Sequence, residues 1–179
     1  MARKPSAAKP SNLSRDSVES IAEAISRQVG YDSEVALPDL VAGFGGRLTV
    51  KDYTETNEPG SILVNGESDF DVYLPAHTSP LRDRFTVAHE LGHYVLHYLW
   101  AKRTKPDLGP IFATRYGSDR AEWEANWFAS AFLMPADEVV SFVREARRSV
   151  ADLAGRFAVS PSAASIRLKR LGLEVDGAE

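Results

Sequence analysis

Five consecutive residues, His89-Glu90-Leu91-Gly92-His93, carry the types and spacing of an H-E-x-x-H metal site. The chain has 179 residues, four of them histidine and thirteen glutamate. Chance would give the pattern roughly 0.006 times, so its presence calls for a chemical reason. On a helix, residues four apart share a face. The imidazoles of His89 and His93 therefore converge on one point, as a zinc ion bound at about 2.0–2.1 Å from each nitrogen requires. Glu90 stands beside His89, where a carboxylate can take a proton from water activated by the metal. Without a metal, the same residues would bring three polar groups into an apolar helix with nothing to satisfy them.

A catalytic zinc needs a third protein ligand and leaves its fourth position to water. Cysteine is absent. His97 lies eight residues beyond His89, about 12 Å along a straight helix, too far to share the ion with it, and is read as a structural or supporting residue. His77, in the loop before the helix, is within conceivable reach of a metal or substrate, although loop histidines are ordinarily just solvated. Better candidates lie in Arg120-Ala121-Glu122-Trp123-Glu124-Ala125-Asn126. Glu122, Ala125, Asn126, Ala129, Phe132 and Leu133 fall on one helical stripe, with Glu124 about 200° away from Glu122. Glu122 is thus expected to face inward. Asn126, one turn later, is placed to hydrogen-bond a ligating histidine and fix its ring. Glu124 reads as an exposed helix-face charge.

The elements that must carry these residues are legible in outline. Ser79 is a good N-cap and Pro80 a good first helical residue, opening a helix to about Trp100 that is apolar on nearly every side and so belongs inside the domain. Ser14 or Asp16 starts an earlier helix with Val18, Ile21, Ala22, Ile25 and Val29 in phase, ended by Gly30. A short helix is expected around 37–44. Alternation predicts strands near 47–51, 61–64 and 68–74, with Phe70, Val72 and Leu74 on one face, and Asn65-Gly66 suits a two-residue hairpin turn. These form a small antiparallel sheet, whose outer strand near 68–74 is a candidate for binding substrate backbone by strand addition. Residues 101–117 read as a long mobile connection. The next helix, about 118–134, must stop before Pro135.

Composition sets the outer bounds. With 44% hydrophobic and 26% charged residues and no cysteine, this is one globular domain, perhaps with a small appendage. A chain of this size builds its core without metal or disulfides, which makes a metal catalytic rather than structural. No apolar run approaches the roughly 20 residues needed to span a bilayer, and no secretory signal is visible, so a cytoplasmic protein with no membrane partner is expected. The net charge of −4 is unevenly spread: residues 1–15 hold four basic and no acidic side chains, and residues 141–172 seven basic against two acidic. Between them, residues 31–140 hold nine basic against seventeen acidic, which argues against a nucleic-acid groove there.

Arg84-Phe85-Thr86-Val87-Ala88 leading into the H-E-x-x-H segment, Glu122-Trp123-Glu124-Ala125-Asn126-Trp127-Phe128-Ala129, and Phe132-Leu133-Met134-Pro135 together resemble the ImmA/IrrE family of zinc metallopeptidases over roughly residues 20–175. The resemblance implies an α+β, zincin-like domain with Zn2+ held by His89, His93 and Glu122, and with Glu90 as catalytic base. It also implies a regulatory role in which the enzyme cuts a helix-turn-helix repressor, in mobile elements or stress responses. On this reading residues 1–14 are a flexible basic tail, 15–147 the metallopeptidase domain, 148–173 a C-terminal helical pair packed on it, and 174–179 a flexible end. Donors for the oxyanion are undetermined, with His77, Arg115 and Tyr116 as guesses.

That helical pair resembles a helix-turn-helix: Val150 to Phe157, a tight turn, and a second helix capped by Ser160 with Pro161 first. Arg167, Lys169 and Arg170 lie along the second helix. The competing reading is a non-proteolytic regulator that binds DNA or a repressor and merely retains a zinc site. Packing on the peptidase is favoured, because two helices offer too little core to stand alone, and because a structural site has no use for Glu90.

Overall fold

The computed structural model describes residues 3–51, 61–114, 119–145 and 148–175. In chain order, strand β1 (Ser6–Ala7) precedes helices α1 (Arg15–Gln28) and α2 (Leu37–Gly43), then strands β2 (Gly46–Lys51), β3 (Ser61–Gly66) and β4 (Asp69–Pro75). Helix α3 (Pro80–Gly92) continues through a π-helical segment, His93–Leu99, into the short α4 (Trp100–Lys102). Strand β5 (Ile111–Thr114) and helices α5 (Arg120–Leu133), α6 (Ala136–Glu145), α7 (Val150–Phe157) and α8 (Pro161–Leu171) complete the chain. The fold is α+β, as expected. Among the described residues no helix is long and apolar enough to cross a membrane.

Ser14, Ser79 and Ser160 cap their helices as the sequence predicts, and α7 carries a further cap. Ser14 accepts from the Ser17 amide and Ser79 from that of Arg82, with Pro80 at the first position of α3. Ser149 and Asp152 form a reciprocal capping box at α7, and Ser160 caps α8 ahead of Pro161.

The five strands run in the order β1-β5-β3-β4-β2. The antiparallel part is β5-β3-β4, and the edge strands β1 and β2 each lie parallel to their neighbours. Phe70, Val72 and Leu74 turn inward from β4 as their alternation predicts, and Ile62, Val64, Ile111 and Ala113 join them against the helices. Because β4 is paired on both sides, the strand addition expected at 68–74 has no free edge to use.

Three further expectations change. The hairpin turn is Glu67-Ser68, not Asn65-Gly66: the β3–β4 register shifts between Val64 and Gly66, so that Gly66 pairs with Asp69. Ser68, at φ 55°, donates its amide to the Tyr94 hydroxyl at 3.0 Å, and Tyr94 stacks on Phe70 with ring centroids 4.2 Å apart. These tertiary contacts pin the turn beyond the Asn-Gly pair. The stretch read as a mobile connection contains β5. Residues 3–14, expected as part of a flexible tail, run along the domain: β1 pairs with β5, and the Arg120 guanidinium bonds the Leu13 carbonyl at 2.6 Å.

The C-terminal pair is anchored by charge turned inward. Arg167, 1% exposed, donates to the Met134 carbonyl at 2.9 Å, to Glu19 at 3.1 Å and to Glu23 at 2.6 Å. Arg170 bonds Glu19 and Asp16. Arg167→Ala is therefore expected to cost about 3 kcal/mol, because it strips the Met134 carbonyl of its donor, Glu23 of its buried cation and Glu19 of one of its three. Urea unfolding checks this, and a loss below about 1 kcal/mol would mean that α8 is held by its apolar face alone. Burial acts to raise the Glu19 pKa, but Arg15, Arg170 and Arg167 together hold it below its ordinary 4.5. Its contribution is thus in place above pH 4.5 and fades as pH falls through the lower, folded value.

Candidate metal centre

Helix α3 and the π segment present His89 and His93, and α5 crosses them closely enough to bring Glu122 alongside. That approach depends on Gly92, since a Cβ there would lie 3.1 Å from the Ala125 Cα and 3.2 Å from its carbonyl oxygen. The result is a compact triangle. The two Nε2 atoms are 3.1 Å apart, and Glu122 places Oε2 3.2 Å from His89 Nε2 and Oε1 3.1 Å from His93 Nε2. Among the described residues, His89, His93 and Glu122 form the group that could hold a metal ion. Ligands at 2.0–2.1 Å from a tetrahedral centre stand about 3.3–3.4 Å from one another, close to the observed edges.

Each imidazole is held from behind. His89 donates Nδ1–H to Asn126 Oδ1 at 3.0 Å, leaving the Nε2 lone pair for the triangle. His93 Nδ1 meets His97 Nδ1 at 2.9 Å, and His97 Nε2 donates to Glu124 Oε2 at 3.0 Å. Followed outward from the carboxylate, that chain fixes one order of donors: His97 Nε2–H donates to Glu124, His97 Nδ1 accepts from His93 Nδ1–H, and the His93 Nε2 lone pair is directed inward. Burial foremost lowers the His93 pKa to about 3. For Glu122, burial acts upward, but the close approach of the His89 and His93 imidazoles outweighs it and holds the carboxyl at about 2. Two imidazole nitrogens and one carboxylate facing a common point are the donor set of a catalytic zinc site. Glu90 is 1% exposed on the same helix.

Glu124 corrects the sequence reading. It is wholly buried rather than exposed, accepting from His97, from Arg120 at 2.9 Å, and from the backbone amides of Ser11 and Asn12 at 2.8 and 3.0 Å. Burial would raise its pKa, yet these donors hold it at about 2. Glu122 and Glu124 stand on different faces of α5, as their spacing predicts, but more than one face of the helix is covered. Helix α5 packs against α1 as well as α3 and the π segment, so faces 200° apart are both covered. Two signals pointed to Glu124: Arg120 one turn before it, and His97 on a buried helix in need of a partner. His77 is exposed in the turn before α3 and is not part of the three-residue group. Arg115 and Tyr116 lie outside the described residues.

The two glutamates should separate experimentally. Glu122→Ala removes a donor atom from the triangle, whereas Glu124→Ala removes only the support behind His97 and His93. The second is expected to weaken zinc binding about 10–100-fold, the usual effect of losing such a partner, and the first by more. Competition with a chromophoric chelator reads the affinities, with thermal unfolding of the metal-free proteins as the control for folding. Wild-type affinity in Glu122→Ala would exclude it as a ligand.

A buried His-His-Glu centre on crossed helices beneath a mixed sheet defines the class: a metallopeptidase-type domain. The family model described as Peptidase_M78, IrrE N-terminal-like domain, matches residues 50–169, more than half of the chain, and the protein belongs to that family. This membership supports a metallopeptidase role. No curated protein matches the sequence. A solved structure described as a Mycobacterium tuberculosis transcriptional regulator aligns with a TM-score of 0.58 at 18% identity, covering 89% of this chain and 48% of that one. The likeness is one of fold, and the chain spans about half the length of that protein.

Proposed function

We propose that this protein is a cytoplasmic zinc-dependent endopeptidase that cuts a helix-turn-helix transcriptional repressor, in the control of a mobile element or a stress response. The observation that carries the reading is the His89–His93–Glu122 triangle, with edges of 3.1–3.2 Å and a buried glutamate on the helix between the two imidazoles. The repressor substrate follows from the family resemblance.

His89, His93 and Glu122 would hold a zinc ion, which would supply the Lewis acidity to polarise a scissile carbonyl and acidify water. Glu90 takes the water's proton and delivers it to the departing amine. Asn126 and His97 keep the two imidazoles aimed inward, so little reorganisation is needed when substrate arrives. Residues 15–147 serve as the catalytic unit and 148–173 as a packed appendage. Arg167 is buried, and the exposed Arg170 is paired with Asp16 and Glu19, which weighs against phosphate neutralisation by α8.

The test is purified protein, analysed for metal and incubated with helix-turn-helix repressors from the same genome. Discrete repressor fragments are expected with about one zinc per chain, and none after chelation. Cleavage by metal-free protein would sink the reading.

A further inference from the structure

An open groove of about 720 Å³ runs between the first turns of α3, the outer face of α5 and the flank of α8. Its walls are mostly apolar, with Leu81, Phe85, Trp123, Trp127 and Ile166 among the lining residues. Leu81 is 39% exposed, Trp123 51% and Ile166 58%, so three of the six large hydrophobic side chains that stand exposed among the described residues gather here. Exposed apolar residues scattered singly are ordinary, whereas a cluster in a concavity marks a recognition surface.

The groove adjoins the buried metal centre through one shared residue. Asn126 lines it and holds His89 at 3.0 Å. Leu81, Phe85 and His89 follow one another at intervals of four on one face of α3, about 6 Å per step, so Phe85 lies one turn and Leu81 two turns from a candidate ligand. An extended peptide advances about 3.3 Å per residue. A chain cut at the metal would therefore place in the groove a side chain two to four residues from the scissile bond. Trp127 is held for this task, with the Arg15 and Arg120 guanidinium carbons 5.6 and 4.9 Å from its ring centroid. Arg15 is paired with Glu19, so Arg82 supplies the available positive charge at the rim and favours a carboxylate beside the apolar residue.

We propose that this groove is a specificity subsite, taking a bulky apolar side chain of an extended substrate segment two to four residues from the bond that is cut. The proposal rests on the peptidase reading above and extends it. It also gives α8 a task in the domain: Ile166 and Ala163 form one wall, and the buried Arg167, bonded to the Met134 carbonyl and to Glu19 and Glu23 of α1, holds that wall in place.

The test uses the full chain, zinc-loaded, on a pool of decapeptides in a Gly-Ser-Asp background, each carrying one Leu or Phe, against counterparts with Ser in its place. Products are sequenced to locate the cut relative to the apolar residue. Cuts are expected two to four residues from it, on one side. In Trp123→Ala and Ile166→Asp the ratio of kcat/KM between apolar and Ser peptides should fall about tenfold or more through KM, with zinc content unchanged. Cutting without positional preference, or variants that keep the wild-type ratio, would overturn the proposal. Binding to zinc-loaded Glu90→Gln, read by tryptophan fluorescence, separates the two readings. Apolar peptides that bind where Ser peptides do not, an advantage lost on adding Ile166→Asp, support the groove even if wild type cuts nothing; that result counts against the peptidase alone. Equal binding, or none, counts against the groove. A wild-type dimer dissociated by Ile166→Asp would assign the surface to a second copy of the chain and likewise overturn it.

Discussion

With Glu90 replaced by glutamine, the protein is expected to keep its zinc and lose about 10²–10⁴-fold in the rate of peptide cleavage, the range attached to a positioned general base. Glutamine has nearly the same volume and fits the same buried position, so the helix, the triangle and the supports behind it should stay in place. What changes is the ability to accept a proton, which an amide lacks. The effect should fall on kcat, because the substitution leaves the substrate-contacting surface as it was. Metal analysis of the variant, alongside single-turnover cleavage of a repressor fragment, checks both halves. A variant that retains zinc and cleaves at the wild-type rate would remove Glu90 from the mechanism.

His93→Ala should have the larger effect on the metal itself. His93 stands at the centre of the buried chain, touching His89, Glu122 and His97 at 2.9–3.1 Å. Alanine deletes one of three donors and leaves His97 Nδ1 facing a cavity. Zinc is then expected to fall to background after dialysis, and cleavage with it. The same outcome is expected for His89→Ala, where Asn126 loses its partner. The pair of variants is informative together with Glu90→Gln: the histidine variants lose metal and activity, the glutamine variant activity alone. Full zinc occupancy in His93→Ala would show that the triangle is a buried polar cluster rather than a metal site. Thermal unfolding of the metal-free proteins excludes collapse of the fold as the cause, since metal-free wild type and variants can be compared directly.

Much of this centre was legible in the chain, because the information is local. The H-E-x-x-H spacing places two imidazoles on one helical face within a single turn, Ser79-Pro80 starts that helix, and the alternation of Phe70, Val72 and Leu74 orients a strand. The inward face of Glu122 and the reach of Asn126 to a histidine followed from helical phase. Each depends on residues no more than a few positions apart. What depended on distant parts of the chain was decided only by the tertiary structure. Glu124 is buried because Ser11 and Asn12, more than a hundred residues earlier, cover the second face of α5. The turn sits at Glu67-Ser68 because Tyr94 captures an amide there. Strand β4 is interior because β2 runs beside it from a separate part of the chain. Arg167 and Arg170, which read as a basic face in the sequence, are paired with carboxylates on α1, and Arg167 is buried by them. Periodicity says which residues of an element share a face. How many of its faces are covered, and by what, is set by the packing of the other elements, and a buried charge persists only where that packing supplies its partner.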